Sequence, residues 1–423
     1  MPRAPHAQWR SHREACASAF PAGRHEWPVL RSQGWRNVTL LAAVSLINDV
    51  SGEMLMAVLP FLLVAQGATG LGLGLVGGVT DGIGHLSKLI GGYAGQHREK
   101  KKGIIGAGYL VSSVSRFGVA LATTWPLTLG FRSFDRVGKG LRTAPRDALL
   151  AEQLPRAQRG RAFGLHRTAD TAGAVIGVVL ALVLLAQTSI GYDGVVLIGA
   201  AIGLLSLVPL LWVDERHAVP LQGAVAILPE PESKLFRPFV LVAVAFSLAR
   251  VSYLFYLVRA AEAVGGIKAA IAWYLWFNVL YAAAAYPAGR LGDRVGRPRL
   301  LVAGYLVTSA TAAVFALPAS PITMLAGFTM LGFSFALAEG QGSALAADLA
   351  GSETRSTRLG QYHAFTGVAT VIGGLVAGIL WDQVSHSAAF LWGAALPLVA
   401  TLGLLALRPP PIPGYAEPPG HDH

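Results

Sequence analysis

Twelve apolar stretches, most of them about 18 to 25 residues long, leave this chain few ways to fold. They centre on residues 38–66, 72–95, 104–124, 126–150, 160–187, 194–213, 236–260, 269–290, 299–318, 321–350, 359–381 and 386–407. A helix of about 20 residues crosses a hydrocarbon core of roughly 30 Å. Only 13% of the 423 residues are charged, against roughly 25% in soluble domains. The stretches are apolar on every side and rich in Gly and Ala, whereas the strands of a membrane barrel alternate polar with apolar positions. The expected fold is an all-α membrane protein with twelve transmembrane helices.

Lys and Arg fall in alternate connections. They crowd before the first stretch (Arg3, Arg10, Arg13, Arg24, Arg31, Arg36) and after the second ("HREKKK"), fourth, sixth and eighth ("GRLGDRVGRPR"). The connections "GATG", "TTWP" and "QTSIGYDG" have none, and the one after the seventh has only Lys268. Positive residues stay on the cytoplasmic side, which predicts cytoplasmic termini and a bacterial-type inner membrane as the location. The net charge of +11 therefore belongs to loops facing the lipid bilayer, and no nucleic-acid partner is expected. Residues 1–36 lack an apolar core with a small-residue cleavage site and read as a cytoplasmic tail. Cys16 is the only cysteine, so neither an internal disulfide nor a cysteine-based metal or redox motif is available.

The two halves repeat. "GGYAGQHREKKKG" aligns with "AGRLGDRVGRPRL", Gly92 over Gly289, and "LGFRSFDRVGKGLRTA" aligns with "LGFSFALAEGQGSALA". In the second pair Leu129, Gly130, Phe131, Gly138, Gly140 and Ala144 lie over Leu331, Gly332, Phe333, Gly340, Gly342 and Ala346. The expected organisation is a tail (1–36), a six-helix half (37–213), a linker (214–236), a second six-helix half (237–408) and a tail (409–423).

"GRLGDRVGR", Gly289 to Arg297, resembles the Gly-x-x-x-Asp-Arg-x-Gly-Arg signature of the major facilitator superfamily, and span number and repeat agree over about residues 37–408. The Asp-Arg-x-Gly-Lys-Gly and Pro-Arg-Asp of the fourth span, with "RGRAFGLHRTADTAGA" after them, resemble a less characterised prokaryotic branch. The resemblance implies two halves rocking around a central site, with Gly289, Asp293 and Arg294 as a cytoplasmic latch. It also implies that the charged half binds protons while the other is a mostly hydrophobic wall. In the first half Gln96, His97, Arg98 and Glu99 stand where the signature has Asp-Arg-x-Gly, which puts a first-half latch in question.

The fourth span carries charge that a membrane helix does not need. At about 100° per residue, Arg132, Asp135, Arg136, Lys139, Arg142 and Arg146 fall within an arc of about 120°. A solvated loop would leave nothing long enough to cross between "TTWP" and the next basic stretch. The repeat supplies a control, with Ser334, Leu337, Ala338, Gln341, Ala344 and Asp348 at the matching positions of the tenth span. The fold is thus built there almost without charge, so the stripe reads as functional. "GKG" is no phosphate loop, lacking both a preceding strand and a Ser or Thr after the Lys.

Other spans add Asp49 and Glu53, then Asp81, His85 and Lys88 on one face of the second, Arg167 and Asp170, Arg250 and Tyr253, Asn278, Glu339 and His363. The candidate substrate or proton-coupling set is Asp49, Glu53, Asp81, His85, Lys88, the six fourth-span residues, Asp170 and Glu339. The expected activity is secondary transport by alternating access, with proton-coupled export of a small organic or anionic solute by a monomer. Asp49, Glu53, Asp81 or Asp135 would carry the proton, and the cations would hold an anionic group or act as internal counter-ions. A divalent cation is the alternative substrate, because Asp49, Glu53, Asp81 and His85 offer suitable donors. No cofactor and no resident metal are expected. An enzyme is disfavoured, since there is neither a His-Glu-x-x-His motif nor a nucleophile elbow. No loop is long enough for a receptor's readout domain.

Overall fold

The structure, a computed structural model, describes residues 27–96, 101–215, 233–263, 265–338, 341–351 and 355–407. Among them fifteen helices make twelve spans. The first five spans are Trp27–Ala65, Gly70–Gln96, Lys101–Leu121, Trp125–Glu152 and Arg156–Gln187. The sixth joins Tyr192–Leu205 to Leu207–Leu211, and the seventh joins Phe236–Leu248 to Tyr253–Ala261. The eighth and ninth are Gly266–Val295 and Arg297–Ala316; the tenth joins Pro321–Ala338 to Gln341–Leu349; the last two are Arg355–Gln383 and His386–Leu407.

Ten of the twelve are long and apolar enough to cross a membrane by length and composition. The two others are the second and fourth, whose apolar character is diluted by glycine and by charge. An uncharged helix is held in a membrane by its side chains alone, whereas these two are held by what packs around them.

Apolar packing is asymmetric along the long axis. At the end where the chain reverses after the first span, one cluster runs through both halves, from Leu55, Leu59 and Val195 to Phe255, Phe328 and Phe390. At the end that carries the first and last described residues there are two separate clusters. One holds Val38, Tyr109, Leu149 and Leu210 of the first half, and the other Phe236, Tyr305, Leu345 and Leu404 of the second. The halves are therefore joined at one end and parted at the other.

The joined end depends on a seam between the second and eleventh spans. A Cβ on Gly74 would stand 2.1 Å from the Gly374 carbonyl oxygen, and one on Gly378 would stand 2.5 Å from that of Gly70. Only glycine allows two helix backbones so close. Asp382 closes the seam, its carboxylate accepting from the backbone N–H groups of Gly70 (2.7 Å) and Leu71 (2.8 Å). That carboxylate satisfies donors which the first turn of a helix leaves unpaired.

The sequence reads the seventh span as continuous, but its helix stops at Leu248 and restarts at Tyr253. Ser252 caps the restart by accepting from the Leu254 N–H. The Leu248 carbonyl left free by the break is met by the Trp392 indole N–H at 3.0 Å. Irregular backbone at membrane depth survives where neighbouring protein satisfies it in this way. Residues 216–232 of the expected linker, residues 1–26 of the first tail, all of the tail 409–423 and the Gln96–Glu99 departure beyond Gln96 lie outside the described residues.

Candidate functional site

The stripe on the fourth span divides into two groups. Arg132, Asp135 and Arg142 turn into the first half and are almost fully buried. Asp135 pairs with Arg132 one turn away and with Arg116 of the third span at 3.4 Å. Arg116 in turn donates to the Ser51 hydroxyl (2.7 Å) and the Asn48 carbonyl (3.1 Å) of the first span. Three spans are thereby tied through one carboxylate. No carboxylate among the described residues pairs with Arg142; it donates to Ser112 at 2.6 Å and lies over the Tyr109 ring, 4.4 Å from its centroid, a placement in which a ring face partly replaces a counter-ion.

Arg116 is absent from the set picked out of the sequence. The signal was there: a lone Arg in an otherwise apolar span, preceded by Ser112, Ser113 and Ser115, is as expensive at membrane depth as the fourth-span charges. The glycines explain how the charges fit. A Cβ on Gly138 would lie 2.7 Å from the Gly108 carbonyl, so the third and fourth spans touch backbone to backbone.

The second group faces the interval between the halves. Arg136 reaches Asp81 of the second span at 3.7 Å. Lys139 is exposed, and no carboxylate of the described residues lies within ion-pairing distance of it, although the charges of Asp49 and Glu53 act on it. Asp49 and Glu53 are half-buried and likewise form no ion pair. Asp49 accepts from Asn48 at 3.2 Å, and Glu53 accepts from the Tyr274 hydroxyl of the eighth span at 2.8 Å. Two further contacts cross between the halves at this level. Tyr253 donates to the Met56 sulfur (3.2 Å), and Arg167 donates to the Tyr281 hydroxyl (3.1 Å).

Nearer the parted end, Arg146 bonds Asp147 (3.0 Å) and Ser45 (3.2 Å), and Ser45 donates to Asp170, with His166 3.5 Å away. Arg146 and Asp170 thus meet at Ser45, one turn from Asp49 on the first span. His85 stacks on His363 of the eleventh span, with ring centroids 5.7 Å apart. Asn278 turns back to the Tyr274 carbonyl of its own helix. Lys88 and Asp293 stand on described helices, but their side chains, and Glu339 altogether, lie outside the described set. Gly289 and Arg294 occupy the last turns of the eighth span, and each half ties the start of its third span to the end of its fourth, through Lys101–Glu152 and Arg297–Asp348. Among the described residues no group of three or more His, Cys, Asp or Glu could hold a metal ion. The four donors considered for a divalent cation are thus not gathered into one site.

Twelve spans in two halves, with charged side chains between them, define the class of polytopic membrane carriers. Residues 41–265 and 239–422 match the model of the Major Facilitator Superfamily. An uncharacterised MFS-type transporter of Methanocaldococcus jannaschii is 35% identical over 381 residues, 88% of this chain and 94% of the relative. An uncharacterised protein of Mycobacterium tuberculosis is 28% identical over 394 residues, 89% and 94% of the two chains. Among solved structures, the nucleoside transporter NupG superposes with a TM-score of 0.69 at 13% identity, covering 88% of this chain and 98% of that one. The human organic anion transporter MFSD10 gives 0.62 at 16% identity, covering 88% and 99%; at these identities the likeness shows the fold alone. The chain belongs to the major facilitator superfamily, a family of transporters and not of enzymes, and is a multi-pass membrane protein.

Proposed function

We propose that the protein is a proton-coupled exporter of a small organic anion in the inner membrane, monomeric and with both termini cytoplasmic. Residues 37–213 and 237–408 would be its two moving bodies, joined by the linker 214–236. The confinement of Lys and Arg to alternate loops supports the orientation. The observation that carries the reading is the group formed by Lys139, Asp49 and Glu53. An exposed ammonium without an ion-pair partner among the described residues is free to take an anionic group, and a carboxylate without a cation partner among them loses little when it takes a proton. Glu53 also touches Tyr274 across the interval, so its charge acts directly on the contact between halves. Asp135 suits the proton role less well, because neutralising it would leave Arg116 and Arg132 buried without a counter-charge.

Liposomes containing the purified protein and loaded with a pH dye test the assignment, with small organic anions added one at a time. The wild type moves protons with its anion. Glu53→Gln still binds the anion but loses the proton flux, while Asp170→Asn retains most of it. Undiminished proton-driven flux in Glu53→Gln refutes the coupling role.

A further inference from the structure

The second half faces the charges with a strip of aromatic rings, of which Tyr274 and Phe277 are rooted in the apolar cluster at the joined end while Tyr253, Tyr281 and Phe335 pack against it half-buried. Tyr253 and Tyr274 are 6.0 Å apart, Tyr274 and Phe277 5.7 Å, and Phe277 and Tyr281 6.2 Å with their planes 5° from parallel. Phe335 of the tenth span stands edge-on to the last two, at 5.3 and 6.2 Å. The three tyrosine hydroxyls are the ones that meet Met56, Glu53 and Arg167 of the first half. The strip therefore lies at the boundary between halves and at the level of the charges.

Arg250 lies beside it, in the break of the seventh span, its guanidinium carbon 5.7 Å from the Phe335 ring centroid. No carboxylate of the described residues pairs with Arg250, so the second half, like the first, offers a cation that is not internally neutralised. Rings are not demanded by the fold at these places. Under the repeat that sets Gly92 over Gly289, the first-half counterparts of Tyr274, Phe277 and Tyr281 are Gly77, Thr80 and Gly84, and under the one that sets Leu129 over Leu331 the counterpart of Phe335 is Ser133.

We infer that the transported anion carries an aromatic ring, its anionic group taken by Lys139 and its ring by the half-buried Tyr281 and Phe335, beside Arg250. The inference rests on the anion reading above. Offset-stacked and edge-on arrangements favour a π-system over a saturated body of the same shape, by a factor of roughly three to ten in affinity.

Binding of 2-naphthoate to the purified full-length protein, followed by the ligand's own fluorescence, is compared with competition by decahydro-2-naphthoate, which has the same charge and carbon skeleton but no π-system. The expected result is that the aromatic probe binds about three- to tenfold more tightly, that Phe335→Leu removes this margin and leaves the saturated probe unaffected, and that Lys139→Gln weakens both. Equal affinities in the wild type, with both still lost in Lys139→Gln, overturn the aromatic inference while the anion reading stands. Failure of both probes to bind overturns the anion reading, and this inference with it.

Discussion

Two residues one turn apart on the fourth span, Asp135 and Lys139, have opposite relations to their surroundings. Asp135 is 3% exposed and gripped by Arg116 and Arg132; Lys139 is exposed and forms no ion pair among the described residues. Removing one partner of a buried ion pair costs about 3–5 kcal/mol, because the remaining charge is stranded. Asp135→Asn should therefore lower the melting temperature of the detergent-solubilised protein sharply and reduce its folded yield, and Arg116→Met should do the same. Lys139→Gln should melt within a degree or two of the wild type, since an exposed unpaired charge contributes at most about 0.5 kcal/mol, yet fail to transport. A thermally unperturbed Asp135→Asn would show that the carboxylate is not the knot between the first, third and fourth spans. The helical period was enough to collect the stripe from the sequence. It could not divide the stripe, because the division depends on Arg116, Ser51, Ser112 and Tyr109, which are remote in sequence.

Among elements, the pairing of the second and eleventh spans sets which end is shut. The closeness of Gly74 to Gly374 and of Gly378 to Gly70 lets the backbones meet, and Asp382 adds a charged cap to the second span. A helix cap of this kind is worth about 0.5–2 kcal/mol. Asp382→Ala should therefore shift the population about two- to thirtyfold towards opening at that end. The readout is labelling of Thr370→Cys, a buried seam position, by a membrane-impermeant maleimide applied from the side of the joined end, in a Cys16→Ser background. Unchanged labelling would mean that the glycine contact alone holds the seam. Span count and approximate span limits were legible because a membrane demands a fixed apolar length. The break at Ala249–Ser252 was not, since nothing local in "SLARVSYL" distinguishes it. The Trp392 donor that makes the break tolerable comes from the twelfth span.

On the scale of the whole molecule, the two halves share one apolar cluster at the joined end and have separate clusters at the other. The same chain can exchange those roles if each half moves as a body about the contacts at mid-depth. Glu53–Tyr274 and Arg167–Tyr281 lie at that depth, and single hydrogen bonds of this kind re-form readily after a small rotation. The six-plus-six repeat makes such a rocking plan an expectation of the sequence. The state in which it rests was not legible, because that is decided by small differences between two sets of inter-half contacts. Spin labels placed at Gly160 and Thr357, both exposed at the parted end, test the exchange by distance measurement in liposomes. A second pair at Gln187 and Val384, exposed at the joined end, is measured in parallel. Adding the anion proposed as substrate, with 2-naphthoate as the probe, at acidic pH should shorten the first distance and lengthen the second. Glu53→Gln, mimicking the protonated carboxylate, should shift both distances part of the way without a pH change. Motion of only one pair, or of both in the same direction, would rule out rocking of rigid halves and assign the change to bending of individual spans, with Pro60, Pro145, Pro287 and Pro397 as the places to look.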